Sequence, residues 1–410
     1  MKVVVSGYGS TGDNVPLLAL ADGLNRAGHH AILVADEQAG PAAERLGIDF
    51  LVLAGSVKRL LAEDSRGWRE TVGSGRLSSR ALSEMSSFHR SEWLTTIADA
   101  ARDADVVASS VLGLHQAGSV AQDLGIPLVG IQLQPTLETS EYPPPASGLR
   151  RLPRVLNRPL GRLLVRAGDL VISRGVNRDR RAAGRGRLRI DWDAMPILMA
   201  WSPVLVPAAP DWTHADATIT GAWTPPPDPD WRPPPGLEAF LADGEPPVFV
   251  GFGSVSGFDG LPALRDAVLA GLAGRRVVLS SGWAGLESGG LPADVFPVDH
   301  VPYDWLFPRC SLVIHHCGAG TTHQGARAGV PTVPVPFALD QPFWAERLRL
   351  LGVAPEPLNP RRPDAGAVRA AVAWASQPGA RRRAAEVGRR MAEEPDAVAA
   401  AIRVLERVAG

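Results

Sequence analysis

The sequence predicts an α/β protein made of two doubly wound, Rossmann-like parallel-sheet domains. Three observations predict it. Short β-branched runs alternate with helical stretches from the first residues. The alternation stops at a proline-rich segment and then restarts, and glycine-rich turns follow three of the strands. At 410 residues the chain exceeds the roughly 100–200 residues of one ordinary domain and suits two.

Val3 to Val5 reads as a buried strand closed by Gly7 and Gly9. Leu17, Leu18, Leu20, Ala21 and Leu24 then recur at helical spacing until Gly28 stops them. Ala31 to Val34 is a second strand, residues 41–46 a second helix, and Phe50 to Leu53 a third strand. Val106 to Ala108 and Leu128 to Ile131 continue the series around a helix from Leu114 to Leu124. Strand, helix and strand joined by short loops give right-handed parallel units. Between Ala54 and Arg102 the pattern blurs, and Trp68, Met85, Phe88, His89 and Trp93 stand among Ser, Gly and Arg. An irregular insertion of this length reads as a binding or lid region.

Residues 150–189 hold thirteen arginines against Asp169 and Asp179, a local charge near +11. Arg158, Arg162 and Arg166 share one helical face, so the segment reads as a solvated helix or as a peripheral contact with a membrane surface. Thr224 to Pro235, TPPPDPDWRPPP, is a stiff polyproline-like linker. The alternation restarts with strands at Val248–Phe252, Arg276–Ser280, Phe296–Val298, Leu312–His315 and Thr332–Val335. Helices are expected at Leu261–Leu272, Thr321–Ala328 and Pro342–Leu350, with helical, Ala- and Arg-rich sequence from Ala365 to Val408. The boundaries that follow are 1–220 for the first domain, 221–237 for the linker, 238–390 for the second domain, and 391–410 for a helix returning to the first.

Composition narrows the function. A balance of 42 basic and 43 acidic residues excludes a protein that wraps a polyanion, so nucleic acid is not an expected partner. Cys310 and Cys317 are the only cysteines, too few for a disulfide scaffold. The apolar run at the N-terminus is too short for a signal peptide, and no run of eighteen apolar residues occurs. A cytoplasmic enzyme, monomeric by default, is the expectation.

Three turns carry candidate chemistry. Gly7, Gly9 and Gly12 match a dinucleotide fingerprint, with Asp36 as its ribose acid, but a lone match of this kind is weak. GFGSVSG, Gly251 to Gly257, and HHCGAGTTHQ, His315 to Gln324, both follow strands of the second domain. Glycines admit a phosphate, and the first amides of the next helix face it with a positive dipole end. Together they favour a diphosphate ligand in the second domain, leaving the first for the other reactant. Cys310, His315, His316, Cys317, His323 and His300 invite a zinc reading, but successive strand residues point to opposite faces and cannot converge on one ion.

The stretch Val313 to Leu348, VIHHCGAGTTHQGARAGVPTVPVPFALDQPFWAERL, resembles the donor signature of family-one glycosyltransferases with the GT-B fold. It most resembles the bacterial branch of the vancomycin-group enzymes and the sterol glucosyltransferases. The resemblance extends to GSTGDNVPL near the N-terminus, PPVFVGFGS at the start of the second domain, and SGW at Ser281 to Trp283. It implies two Rossmann-like domains facing a central cleft, a nucleotide-sugar donor linked through UDP or TDP, a lipophilic acceptor, and no metal or other cofactor.

Residue by residue, the resemblance assigns the donor diphosphate to His316, to Gly318, Ala319, Gly320, Thr321 and Thr322 at a helix start, and to Ser254. Gln324 stands where plant relatives carry a ribose-binding Glu. Val301 and Pro302 sit at the base, with Trp283 as a stacking candidate because His300 replaces the usual Trp. Asp340 and Gln341 match a pair that bonds sugar hydroxyls. Asp13 is the expected general base, since an acceptor hydroxyl is a poor nucleophile until its proton is removed. The alternative for Asp13 is a helix N-cap. A single displacement predicts inversion at the anomeric carbon. Ser10 and Thr11, the latter where relatives usually carry Arg, flank the base on the acceptor side. Trp68, Met85, Phe88, His89, Trp93, His115 and the YPPP run from Tyr142 would line the acceptor, with His89 and His115 as reserve bases. The rivals are a GT-B-fold sugar-nucleotide epimerase and a non-catalytic nucleotide-sugar-binding subunit.

Overall fold

β-Branched runs become strands where the flanking turns let them align in parallel, and here they do so twice. The structure is a computed structural model and describes residues 1–55, 67, 70, 71, 90–253, 258–280 and 291–410. The first sheet has seven strands in the order β3-β2-β1-β4-β5-β6-β7. They are β1 (Lys2–Ser6), β2 (His30–Ala35), β3 (Asp49–Val52), β4 (Val106–Ser110), β5 (Leu128–Gln132), β6 (Ile197–Met199) and β7 (Ala217–Ile219). Every pairing is parallel, with Val5 registered against Leu33 on one side and Ala108 on the other. Its described helices are α1 (Thr11–Arg26), α2 (Gly40–Arg45), α3 (Arg90–Ala100), α4 (Leu114–Leu124) and α5 (Arg154–Ala182).

The second sheet has five parallel strands in the order β10-β9-β8-β11-β12. These are β8 (Val248–Gly251), β9 (Val277–Ser280), β10 (Val295–Val298), β11 (Leu312–His315) and β12 (Thr332–Pro334). Around them lie α6 (Leu237–Ala242), α7 (Leu261–Gly271), α8 (Tyr303–Leu306), α9 (Ala319–Arg327), α10 (Gln341–Leu350), α11 (Ala365–Ala375), α12 (Pro378–Ala392) and α13 (Ala397–Ala409).

Period-two alternation divides each strand between two cores. Val3 and Val5 pack with α1 on one face of the first sheet, while Val4 packs with Trp93 and Ile97 of α3 on the other. In the second sheet Val248 and Val250 face α7 and α11, and Phe249 faces Leu306 and Phe307. A further cluster joins the units: Tyr142 and Trp201 from the first pack with Phe343, Trp344 and Leu348 of α10 and Met391 of α12.

The chain crosses between units twice. Residues 222–235 cross in extended, irregular backbone. The chain then returns, and α13 lies on α1, with Ala401, Ile402 and Leu405 in the first unit's core. The crossings touch: Gly221 has φ +101°, and a Cβ there would lie 2.8 Å from the Cβ of Ala397.

Two features differ from the sequence expectation. Strands β6 and β7 were not anticipated, because three residues each give no usable period. The charge of residues 150–189 is also lower than counted. Arg150 and Arg151 pair with Glu346 and Glu356, Arg154 with Glu141, Arg158 and Arg162 with Glu138, and Arg180 and Arg185 with Asp123. The carboxylates come from elsewhere in the sequence, so a local count misses them.

Candidate active site

The carboxyl ends of both sheets open onto one cavity of about 2490 Å³, lined from Tyr8 and Asp13 on one side to His316 and Asp340 on the other. A site for one small ligand takes roughly 300–1,000 Å³, so this space accommodates two reactants. Open α/β sheets place their ligands at this edge.

On the first unit, Ser10 is the N-cap of α1 and Asp13 is its third residue. The Ser10 amide and hydroxyl both donate to Asp13 Oδ2, at 2.7 and 3.0 Å. Asp13 therefore reaches back to the cap, as in a capping box, but is not itself the cap. No described group hydrogen-bonds its Oδ1. Burial pushes its carboxyl above the usual range, against the Ser10 hydrogen bonds that pull it down.

The glycines before it make room for side chains. A Cβ on Gly9 would sit 2.3 Å from Asp13 Oδ2, and one on Gly7 would sit 2.4 Å from Leu17 Cδ1. The dinucleotide spacing thus has a packing reason. Asp36, its proposed ribose acid, is fully buried and accepts from the Gln38 amide as a local cap.

On the second unit, His315 and His316 diverge as strand alternation requires. His315 is fully buried, its Nδ1 accepting from the Cys317 amide at 3.0 Å. His316 lines the cavity between two glycines: a Cβ on Gly253 would lie 2.7 Å from its Cε1, and one on Gly318 2.4 Å from its Nε2. Burial holds the His316 imidazole down at about 4, so the ring is neutral near pH 7. Gly318 is the N-cap of α9. The amides of Ala319, Gly320 and Thr321 have no intrahelical carbonyl to bond and open onto the cavity with the helix dipole behind them.

Thr322, expected beside them, is turned away: it is fully buried and its amide bonds the Gly318 carbonyl at 2.9 Å. Gln324 lines the cavity, and so do His300 and the partly covered rim at Val301 and Pro302. Val301 itself is buried against Phe307 and Leu306.

Asp340 Oδ2 accepts from the Trp344 indole at 2.8 Å, and Gln341 Oε1 from the Phe337 and Ala338 amides at 2.8 and 3.3 Å. Each side chain is fixed by one end. Asp340 keeps a carboxylate oxygen and Gln341 an NH2 group for the cavity that both line. Burial pushes Asp340 up to about 6, and the Asp13 charge across the cleft adds to it, while the Trp344 hydrogen bond opposes. The two carboxylates belong to different units and line the same cavity. Cys317 at φ 64° and Leu339 at φ 56° are the two non-glycine residues with left-handed backbone among those described. They directly precede Gly318 and Asp340, so local strain is concentrated at this site.

The acceptor candidates divide. Ser10, Thr11, Trp93 and His115 line the cavity. Trp93 does so from within the core, its indole bonded to the Ala54 carbonyl at 2.8 Å and its ring 4.6 Å from Tyr8. His115 is bonded to Asp169 at 2.8 Å. Pro144 and Pro145 line the cavity, but Tyr142 is buried against Phe343. Trp68, Met85, Phe88, His89, Ser254 and Trp283 lie outside the described residues. Of the supposed zinc group, Cys310 is in the core and His323 bonds the Ser202 amide. Among the described residues no three His, Cys, Asp or Glu side chains gather as a metal requires. Asp169 and Trp192 were not among the expected site residues, because the His115 partner of each is remote in the chain.

Two Rossmann-like units that share one cleft, with a carboxylate on one and an anion cradle on the other, define the glycosyltransferases of GT-B fold. Comparison with known proteins agrees. Residues 276–406 match the C-terminal domain of erythromycin biosynthesis protein CIII-like proteins. The chain is 34% identical over 417 residues to glycosyltransferase GtfC of Amycolatopsis orientalis, covering 98% of this chain and 96% of that protein. It is 33% identical over 417 residues to O-mycaminosyltylonolide 6-deoxyallosyltransferase of Streptomyces fradiae, covering 96% and 94%. The solved glycotransferase of kitacinnamycin superposes with a TM-score of 0.71 at 21% identity, over 99% of this chain and 98% of that one. The chain belongs to the family-one GT-B glycosyltransferases.

Proposed function

We propose that this glycosyltransferase moves a hexose or deoxyhexose from a UDP- or TDP-linked donor to a hydroxyl of a large lipophilic natural product, by a single displacement with inversion. The observation that carries the reading is that Asp13 of the first unit and Asp340 of the second line one cavity. The relatives named as vancomycin aglycone glucosyltransferase and O-mycaminosyltylonolide 6-deoxyallosyltransferase support the acceptor class.

In this reading Asp13 removes the acceptor proton as the oxygen attacks the anomeric carbon. Its Oδ2 is held by Ser10, so Oδ1 takes the proton. Burial raises its pKa, which makes it a stronger base than a surface carboxylate. Asp340 and Gln341 present one acceptor and one donor to sugar hydroxyls. The amides at the start of α9 and His316 meet the charge developing on the leaving diphosphate, which gives a reaction without a divalent metal. An epimerase would use the carboxylates but would leave most of the first unit's cavity idle.

A peripheral membrane contact would rest on α5, where Val155, Leu156, Leu163 and Leu170 are exposed outside the cavity wall. Among the described residues no helix is long and apolar enough to cross a membrane.

The test is incubation with a panel of nucleotide sugars and lipophilic alcohols, read by mass spectrometry, with Asp13→Asn and an EDTA-treated sample in parallel. A β-glycoside from an α-linked donor, lost in Asp13→Asn and kept in EDTA, is expected. Donor isomerisation without any glycoside refutes the reading, and unchanged turnover in Asp13→Asn removes the base.

A further inference from the structure

The first unit's half of the cavity is mainly apolar, with Leu112, Leu133, Leu160, Leu164, Ile172 and Ile197 in its wall. Ionisable groups interrupt it, among them Glu138 with Arg158 and Arg162, and the pair of His115 and Asp169. His115, in the first turn of α4, is 4% exposed, and its Nε2 lies 2.8 Å from Asp169 Oδ1 on α5. Burial lowers the His115 pKa, although Asp169 opposes this, so the ring stays neutral and its Nε2–H is the donor. The Asp169 side chain is 38% exposed, and no described group pairs with its second oxygen. On an arginine-rich helix whose neighbours Arg158 and Arg162 both pair with Glu138, this carboxylate is bonded by a buried histidine instead.

Beside it stands an aromatic face. Trp192 lines the same cavity, is 36% exposed, and its ring centroid is 5.6 Å from that of His115. Its loop is fixed: His214 Nε2 donates to the Trp192 carbonyl at 2.9 Å, and Asp191 accepts from the Asp193 and Ala194 amides. A charged hydrogen-bond acceptor next to an open indole suits a saturated ring that bears hydroxyls. The O–H groups bond the carboxylate, and the C–H face lies on the aromatic. The arginines along the same helix disfavour a cationic ligand there.

We propose that Asp169, oriented by His115, and Trp192 form a subsite for a hydroxylated saturated ring of the acceptor, separate from the hydroxyl that Asp13 activates. The inference rests on the acceptor assignment of this half of the cavity. The ring is either a sugar already attached to the acceptor or a hydroxylated carbocycle of the aglycone. If it is a sugar, an earlier glycosyl transfer supplies the substrate.

Binding tests this without requiring turnover. The full chain, saturated with nucleoside diphosphate, is titrated calorimetrically with phenyl β-glucoside, with 4-phenylcyclohexane-1,2-diol, and with the O-methylated form of each. Expected is about tenfold tighter binding of at least one hydroxylated probe than of its methylated form, the advantage of one hydrogen bond to a charged group. The tighter of the two identifies the ring's source. Asp169→Ala should erase the advantage, and Trp192→Ala should weaken hydroxylated and methylated probes alike. Asp169→Asn, which retains a His115 partner, guards against misfolding and should lose part of it. Nucleoside diphosphate affinity should not change in any variant. Equal binding of hydroxylated and methylated probes by the unaltered chain overturns the proposal, as does an advantage that survives Asp169→Ala. Failure of glycosyl transfer with the probe preference intact would instead count against the proposed reaction.

Discussion

Gly9→Ala tests whether the position of the Asp13 carboxylate sets the rate. The new Cβ would lie 2.3 Å from Asp13 Oδ2, 2.4 Å from its Cγ and 2.5 Å from its Cβ. Ordinary contact begins near 3.4 Å, so the carboxylate or the turn must move by about 1 Å, a misplacement that costs on the order of 10²-fold in rate. The contact involves the whole carboxyl end of a short side chain, so no flexible tail can swing aside. The Ser10 bonds to Oδ2 would be disturbed as well, at about 0.5–2 kcal/mol of stability, the scale of a lost helix cap. Gly12→Ala is the control, because its Cβ would find only Ser10 Oγ at 3.7 Å. The assay is steady-state glycoside formation at saturating donor and acceptor, with nucleoside diphosphate affinity measured separately. Gly9→Ala should lower kcat about 10²-fold with that affinity unchanged, and Gly12→Ala should stay within a few-fold of the parent. Full turnover in Gly9→Ala would mean that the fixed carboxylate does not control the chemical step.

Further outcomes follow from the other wall. Asp340 is pushed up to about 6, so donor kcat/KM should be full above that pH and fall as the pH drops through it. Asp340→Asn removes the group that burial pushes up to about 6, so the fall through that pH should disappear from the pH–rate profile. Gln341→Glu keeps an acceptor for the Phe337 and Ala338 amides but loses the NH2 donor. Donor kcat/KM should fall about 10–200-fold, the scale of one altered pocket contact, with little change in melting temperature. Gly318→Ala would drive a Cβ to within 2.4 Å of His316 Nε2, and calorimetry should show weakened nucleoside diphosphate binding. Glu346→Gln removes the charge that pairs with Arg151 and Arg349, and denaturant unfolding should register a small loss of stability. Although burial raises the Glu346 pKa, Arg349 and Arg151 hold it below the usual range, so this contribution is present near neutrality and fades as pH falls.

Much of this molecule was legible in the chain because parallel strands carry their signal locally. Val3–Val5 and Leu312–His315 are short apolar runs ended by glycine turns, and each became a strand facing two cores. The helix at Leu114–Leu124 has the bounds its periodicity implied. The second unit's wall of the cavity was legible too, since His316, Gly318, Asp340 and Gln341 sit close together in sequence and line one cavity.

What could not be read depends on contacts between distant segments. Asp169 meets His115 across 54 residues, and the glutamates that neutralise the arginine run come from loops and from the other unit. The role of Gly9 was hidden for a different reason. A glycine in such a turn looks the same whether it makes room for a phosphate or for a side chain, and only the backbone path shows that the neighbour is Asp13.

The paired crossings between the units limit how the site can move. A single tether would let the two halves swing, twist and slide. Here Gly221 on the outward strand of chain touches Ala397 on the return, and α13 is anchored in the first core. With the apolar cluster of Tyr142, Trp201, Phe343 and Trp344 also spanning the units, these contacts restrict the relative movements open to the halves. In the proposed reaction the approach of Asp13 to the sugar is set across this joint, so side chains at the crossing can tune it without touching either substrate.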